Sequence, residues 1–180
     1  MSSVVFESLA REASKESELW QESLRPKEEW ESYPIFSCLA PERYALAVES
    51  IYEGYLLHYG RPRIFAPHDP DVAVLLGDYL YAHGLVRLGE VGKAEDIYSL
   101  AQLISLCAQL RAGSTSGDGV AWVATSALLG LVDPRLEQAR SALRLEGETA
   151  PLVALVEVSA AGEDVDRALA AHALRFAAFG

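Results

Sequence analysis

The sequence is poor in cysteine. Only Cys38 and Cys107 occur, neither in a C-x-x-C pair, and nothing around them has the spacing of a zinc site. A disulfide framework and a structural zinc module are thereby excluded, and both thiols read as small hydrophobes in a reducing compartment. Basic residues are scarce too: 15 Lys and Arg stand against 26 Asp and Glu, a formal net charge of −11. Nucleic-acid binding needs a basic face to meet phosphates, so no nucleic-acid partner is expected. Attraction to an anionic membrane surface is disfavoured for the same reason. No apolar run reaches the ~20 residues of a transmembrane segment. The stretch MSSVVFESLAREASKESE is charged from Glu7 onward and does not read as a signal peptide, so the expected location is cytoplasmic.

Several catalytic signatures are missing as well. The four histidines, His58, His68, His83 and His172, form no H-E-x-x-H. The run from Gly113 to Gly119 lacks the Lys-Ser/Thr ending of a phosphate loop and follows no strand, so it reads as a flexible helix–helix loop. No serine or cysteine stands in a G-x-S-x-G context. No catalytic residue and no metal ligand set is assigned.

What is present is a helical pattern. Apolar residues make up 51% of the chain, which excludes disorder throughout. Residues 3–24 fit an amphipathic helix, with Val5, Phe6, Leu9, Leu19 and Leu24 apolar. A connector with Pro26, Pro34 and Pro41 follows. Pro41-Glu42 opens a helix with apolar residues at Tyr44, Val48, Ile51, Tyr52, Tyr55 and Leu56, and the run 59–62 ends it. Asp69 suits an N-cap with Pro70 in the first turn of a helix to about Leu88, closed by Gly89 and Gly92. Further helices are expected over about 93–111, 118–131, 134–145, 151–160 and 163–179. The expected fold class is an all-α helix bundle in one domain, 1–180. Within it, 1–41 is an N-terminal helix with its Pro-containing connector and 42–180 the bundle.

Two features point further. Between Asp96 and Arg111 no residue is charged, and Ser99, Gln102, Ser105 and Gln109 form one thin polar stripe. A helix apolar nearly all round is buried on more than one side, in a deep core or against another chain. Leu100, Leu103, Ile104 and Cys107 are the candidate partner contacts. Glu49 and Glu53, at i and i+4, project from one helix face. Such a pair can hold magnesium with a diphosphate, but taken alone it reads first as an ordinary solvated helix face.

The stretch from Glu49 to Asp78 resembles the first Asp-rich region of the trans-polyprenyl diphosphate synthases. In that family a DDxxD motif is followed by RRGxP and then by a helix with A-I-L-x-G-D. Here Gly60-Arg61-Pro62 matches the G-x-P, and the run from Ala73 to Gly77-Asp78 matches the helix motif, with no gap between them. Glu49-Ser50-Ile51-Tyr52-Glu53 then falls on DDxxD and His58-Tyr59 on the two arginines. More loosely, the run Ala121 to Thr125 is similar to the family's KTA-containing helix, without its lysine.

The resemblance implies a truncated isoprenoid-synthase bundle. The family ionises an allylic diphosphate with magnesium ions held between two Asp-rich motifs. Neither motif is intact here, so the isolated chain is not expected to catalyse. The closest likeness is to the non-catalytic small subunit of heterodimeric heptaprenyl and hexaprenyl diphosphate synthases. That implies a catalytic synthase subunit as partner, a role in product chain length, self-pairing when alone, and magnesium in the partner rather than here. Gly60, Pro62, Gly77 and Asp78 would be inherited scaffold, with Asp78 buried and hydrogen-bonded and Gly77 and Gly84 permitting close helix approach. Two other readings stand beside it: a stand-alone enzyme using Glu49, Glu53 and magnesium, and an unrelated helical adaptor or apolar-ligand carrier.

Overall fold

The computed structural model describes residues 2–177, and among them the architecture is all-α. The first helix, α1 (Ser2–Glu16), ends where Ser17 turns to extended backbone and caps α2 (Glu18–Glu22), its hydroxyl accepting from Leu19 N at 3.2 Å. The single helix expected over 3–24 is therefore two. The proline-rich connector carries short 3₁₀ turns. Leu24 makes an antiparallel bridge to Phe65, with Arg25 N donating to Ile64 O and Ala66 N to Ser23 O.

Next come α3 (Ala45–Tyr59), α4 (Pro70–Val91) and α5 (Ala94–Ala112). Asp69 caps α4 as expected, accepting from Asp71 N at 2.8 Å with Pro70 in the first turn. That helix runs on through Gly89 and stops at Gly92. The chain finishes with α6 (Asp118–Ala127), α7 (Pro134–Glu146), α8 (Ala150–Ser159) and α9 (Gly162–Leu174). Phe179, the expected end of the last helix, lies outside the described residues. No helix among them is long and apolar enough to cross a membrane.

The organising element is α3. Every residue from Ala47 to Leu57 is buried, so this helix is enclosed on all sides. Its tightest neighbour is α4, which runs antiparallel to it. A Cβ on Gly54 would lie 2.8 Å from the Gly77 carbonyl oxygen, and one on Gly84 would lie 2.5 Å from Ile51 Cγ1 and 3.0 Å from the Ala47 oxygen. These glycines let the two backbones touch, as expected for Gly77 and Gly84. Ser50 adds a bond across the seam, its hydroxyl donating to Leu80 O at 3.2 Å.

Two apolar cores flank α3. The larger holds Phe36 stacked on Trp122 and edge-on to Tyr52, with leucines of α5 beneath. The smaller is built by Phe6, Leu9, Ala10 and Ala13, the i, i+3, i+4, i+7 stripe of α1, against Ile64, Phe65, Leu76 and Leu80.

The seam yields a paired expectation. Gly54→Ala gains helix propensity yet drives a methyl into backbone, and should lower stability by about 2 kcal/mol. Gly89, whose Cβ would meet only Ile97 Cδ1 at 3.4 Å, should gain up to about 1 kcal/mol as Ala. Denaturant midpoints of the two variants should move in opposite directions.

Candidate functional site

Glu49 and Glu53 project from α3 on one face, one turn apart, as their spacing requires. Both side chains are completely buried, and between them lies a third buried charge, Arg63. The turn after α3 brings it there. Gly60 N closes onto Leu56 O, Arg61 N donates to Arg175 O at 3.0 Å, and beyond Pro62 the chain runs back along α3. Arg63 N and Ile64 N both donate to Glu53 Oε1, at 2.7 and 2.9 Å. Arg63 Nε reaches Glu53 Oε2 at 2.9 Å, and Nη1 reaches Glu49 Oε2 at 2.5 Å and Tyr33 O at 3.1 Å. Glu49 Oε1 accepts from Ile35 N and Ser37 N at 3.1 and 3.0 Å. The guanidinium lies between the Phe6 and Tyr52 rings, 4.7 and 5.1 Å from their centroids.

Burial opposes the charge on Arg63, but Glu49 and Glu53 outweigh it and hold the guanidinium pKa above its ordinary value. All four carboxylate oxygens are engaged by backbone N–H groups or by this cation. A magnesium ion wants several open oxygens and usually keeps waters; here a fixed cation fills the space. The pair does not fit a magnesium site, and among the described residues no group of three or more His, Cys, Asp or Glu is placed to hold a metal. No step of chemistry is assigned through a metal on this chain.

The other sequence-marked positions separate. Asp78 is not buried: its side chain is 66% exposed and lies 3.2 Å from His58 Nε2, without hydrogen-bond alignment. It is one helical position past Gly77, which faces α3, and therefore points outward. His58 stacks on Tyr81 instead of presenting a cation to a diphosphate. Gly60 is packed: a Cβ there would lie 2.8 Å from Phe176.

The proposed partner contacts on α5 are corrected. Leu100, Leu103 and Cys107 are fully buried in the chain's own larger core, and Ile104 is half-buried against it. The helix packs on α4, α6 and α7, and Leu100, Leu103 and Cys107 are unavailable to a second chain. The outward side of α5 is formed by Tyr98, Ser105 and Gln109, with Ala101 and Ala108 half-exposed.

A second polar cluster was not visible in the sequence. Gly117, at φ +116°, caps α6 and sets Asp118 at its start. Asp118 Oδ2 accepts from the Tyr55 hydroxyl at 2.6 Å and from Arg111 Nη2 at 2.5 Å, and lies 3.1 Å from His172 Nε2. His172 Nδ1 meets the Tyr52 hydroxyl at 2.9 Å. Burial would raise the Asp118 pKa; hydrogen bonds from His172 and Tyr55 and the nearby His172 and Arg111 charges win and hold it well below the carboxylate range. Phe176 covers Arg111, and Arg175 pairs with Glu31 and Tyr33. With three partners on Asp118 Oδ2 and Tyr55 held as a donor, this cluster docks α9 onto α3.

Protein-family models, curated proteins and solved structures give no match to this chain.

Two expectations follow from the buried charges. Arg63→Met strands two carboxylates and should cost ~3–5 kcal/mol, whereas the triple variant Glu49→Gln, Glu53→Gln, Arg63→Met should recover most of it. Equal losses in chemical denaturation would show that the charges are not coupled. Asp118 has a folded-state pKa below its unfolded value of about 3.9. Its contribution is complete above about pH 5 and is lost as pH falls through the unfolded value toward the lower folded pKa. Glu12 and Glu31, also held low by His83 with Arg87 and by Arg175, add to the slope. Asp118→Asn should lower stability by about 2 kcal/mol at neutral pH and flatten the acid limb; an acid limb as steep as the parent's would refute the assignment.

Proposed function

We propose that this chain is a non-catalytic accessory subunit of a heterodimeric polyprenyl diphosphate synthase, supporting a catalytic partner and the length of its product. The observation that carries this reading is Arg63 between Glu49 and Glu53. The two glutamates fall on the family's first Asp-rich motif, and both have all their oxygens tied up by an internal cation and backbone. The segments that carry the resemblance form the adjacent antiparallel pair α3 and α4, in contact at Gly54, Gly77 and Gly84. A scaffold kept in this way, with its metal positions sealed, suits a subunit that leaves magnesium and diphosphate to its partner. The same observation disfavours a stand-alone enzyme working through Glu49 and Glu53.

The partner surface we assign is the outward side of α5. Tyr98 is 56% exposed there, and between Asp96 and Arg111 the helix carries no charge to desolvate. Self-pairing of the isolated chain would use the same side.

The test is co-expression with a complete synthase, bearing two Asp-rich motifs, from the same source. The isolated chain should release no diphosphate from allylic substrates, and the pair should co-purify with activity or product length changed from the synthase alone. Ser105→Arg, on the exposed side of α5, should abolish co-purification while leaving the thermal midpoint of the isolated chain unchanged. A synthase indifferent to the chain, or elongation by the chain alone, would defeat the reading.

A further inference from the structure

The last two helices leave a groove of about 350 Å³ between them. Both α8 and α9 pack on α6, yet they hardly touch each other. Val120 and Val123 of α6 form the floor. Val153 and Val156 line the α8 wall, and Val165 and Leu169 the α9 wall. The composition of α8 marks this side as unpartnered. Glu157 is its one charged residue, and Val153 and Val158 stay 40% and 74% exposed. A surface helix normally turns a polar face to water; here valines share it.

The charge of the groove has one sign. Glu157 stands on the α8 wall and Asp166 on the α9 wall, both in the lining and both exposed. Neither makes an ion pair or a hydrogen bond with any described residue, and no basic residue is in the lining. Arg167, beside Asp166, is paired with Asp164 on its own helix. An apolar slot with an unpaired carboxylate on each wall is complementary to an apolar stripe with a base on each side.

We infer that this groove docks an amphipathic helix of another protein, one whose apolar stripe is flanked on both sides by Lys or Arg. Apolar side chains at i, i+3 and i+4 of that helix enter between α8 and α9, and the flanking bases meet Glu157 on one wall and Asp166 on the other. The 10 residues of α8 span ~15 Å, and a helix of that length is ~10 Å across. The groove holds far less than that volume, so side chains enter it and the partner's backbone stays above. A second copy of this chain is a poor occupant, since symmetric pairing about the groove would set these acids against their own copies. The inference does not rest on the accessory-subunit reading and uses a different face from α5, so either can fail alone.

The probe is a capped peptide of about 14 residues, long enough to hold a helix. It carries leucines at i, i+3, i+4 and i+7 on an alanine background, lysines along both flanks of the leucine stripe, and a fluorescein that reports binding to the full chain by anisotropy. Binding should be saturable and one-to-one, and the same peptide with glutamate for each lysine should bind at least about tenfold more weakly. Glu157→Gln with Asp166→Asn should weaken the lysine peptide about tenfold. Val153→Lys, at an exposed position, should abolish its binding while the thermal midpoint of the chain is unchanged. Glu22→Gln with Glu28→Gln removes the same charge from α2 and the connector and should leave binding as it is. An equal loss in that pair would show attraction to net charge alone and overturn the site. So would equal binding of the glutamate peptide, or undiminished binding by Val153→Lys. Dimerisation of the chain alone, prevented by Val153→Lys, would assign the groove to a second copy and overturn the inference as well.

Discussion

The N-terminal helix, the connector and the turn after α3 are all arranged around the buried guanidinium of Arg63. Arg63 is fully buried between two carboxylates, with the Phe6 and Tyr52 rings beside its guanidinium. Charges in such a place are tolerated only when each lone pair and proton has a partner. Meeting that condition dictates much of the surrounding chain. The turn after α3 must reverse so that Arg63 N and Ile64 N can reach Glu53, the connector must pass close enough for Ile35 N and Ser37 N to reach Glu49, and α1 must lay Phe6 over the result. Three segments far apart in sequence are thus pinned to one helix by a polar cluster, while the apolar residues around it supply most of the burial energy.

That arrangement explains which parts of the fold could be read from sequence. Helix class, the Asp69-Pro70 start of α4 and the loop at 113–117 follow from local rules, and these agree with the structure. The break at Ser17 is equally local, but an amphipathic pattern on both sides of it masks the cap. The depth of each helix was harder to read. Freedom from charge made α5 look the most enclosed, yet it is buried on one face only. The enclosed helix is α3, whose two glutamates and histidine give it the look of a half-solvated one. Charge is a good indicator of exposure until a buried counter-charge cancels it.

The candidate site divides in the same way. That Glu49 and Glu53 share a face is fixed by helical periodicity and was legible. Their partner was not, because Arg63 lies beyond a turn whose path depends on tertiary contacts. Nor could spacing reveal that Asp118, His172 and Tyr55 converge, since they come from three helices separated along the chain. The expectation of a buried Asp78 failed for a geometric reason: Gly77 takes the contact with α3 and the next residue is turned away. Leu100, Leu103 and Cys107 marked a face correctly as apolar, but it is the face the chain uses for itself.

The placement of α9 has a consequence for how the chain is made. Residues 172–176 touch Tyr52, the Gly60-Arg61 turn, Glu31 and Asp118, so elements already tied by the Tyr55–Asp118 bond and the Phe36–Trp122 stack gain a further tie from a helix that leaves the ribosome after them. Until then the nascent chain carries an open seam at the end of α3, with Asp118 lacking its imidazole and Arg111 its aromatic cover. Translation therefore outruns closure, and the interval before α9 emerges is when the unfinished bundle is most exposed to chaperones, to proteases and to a partner assembling on it.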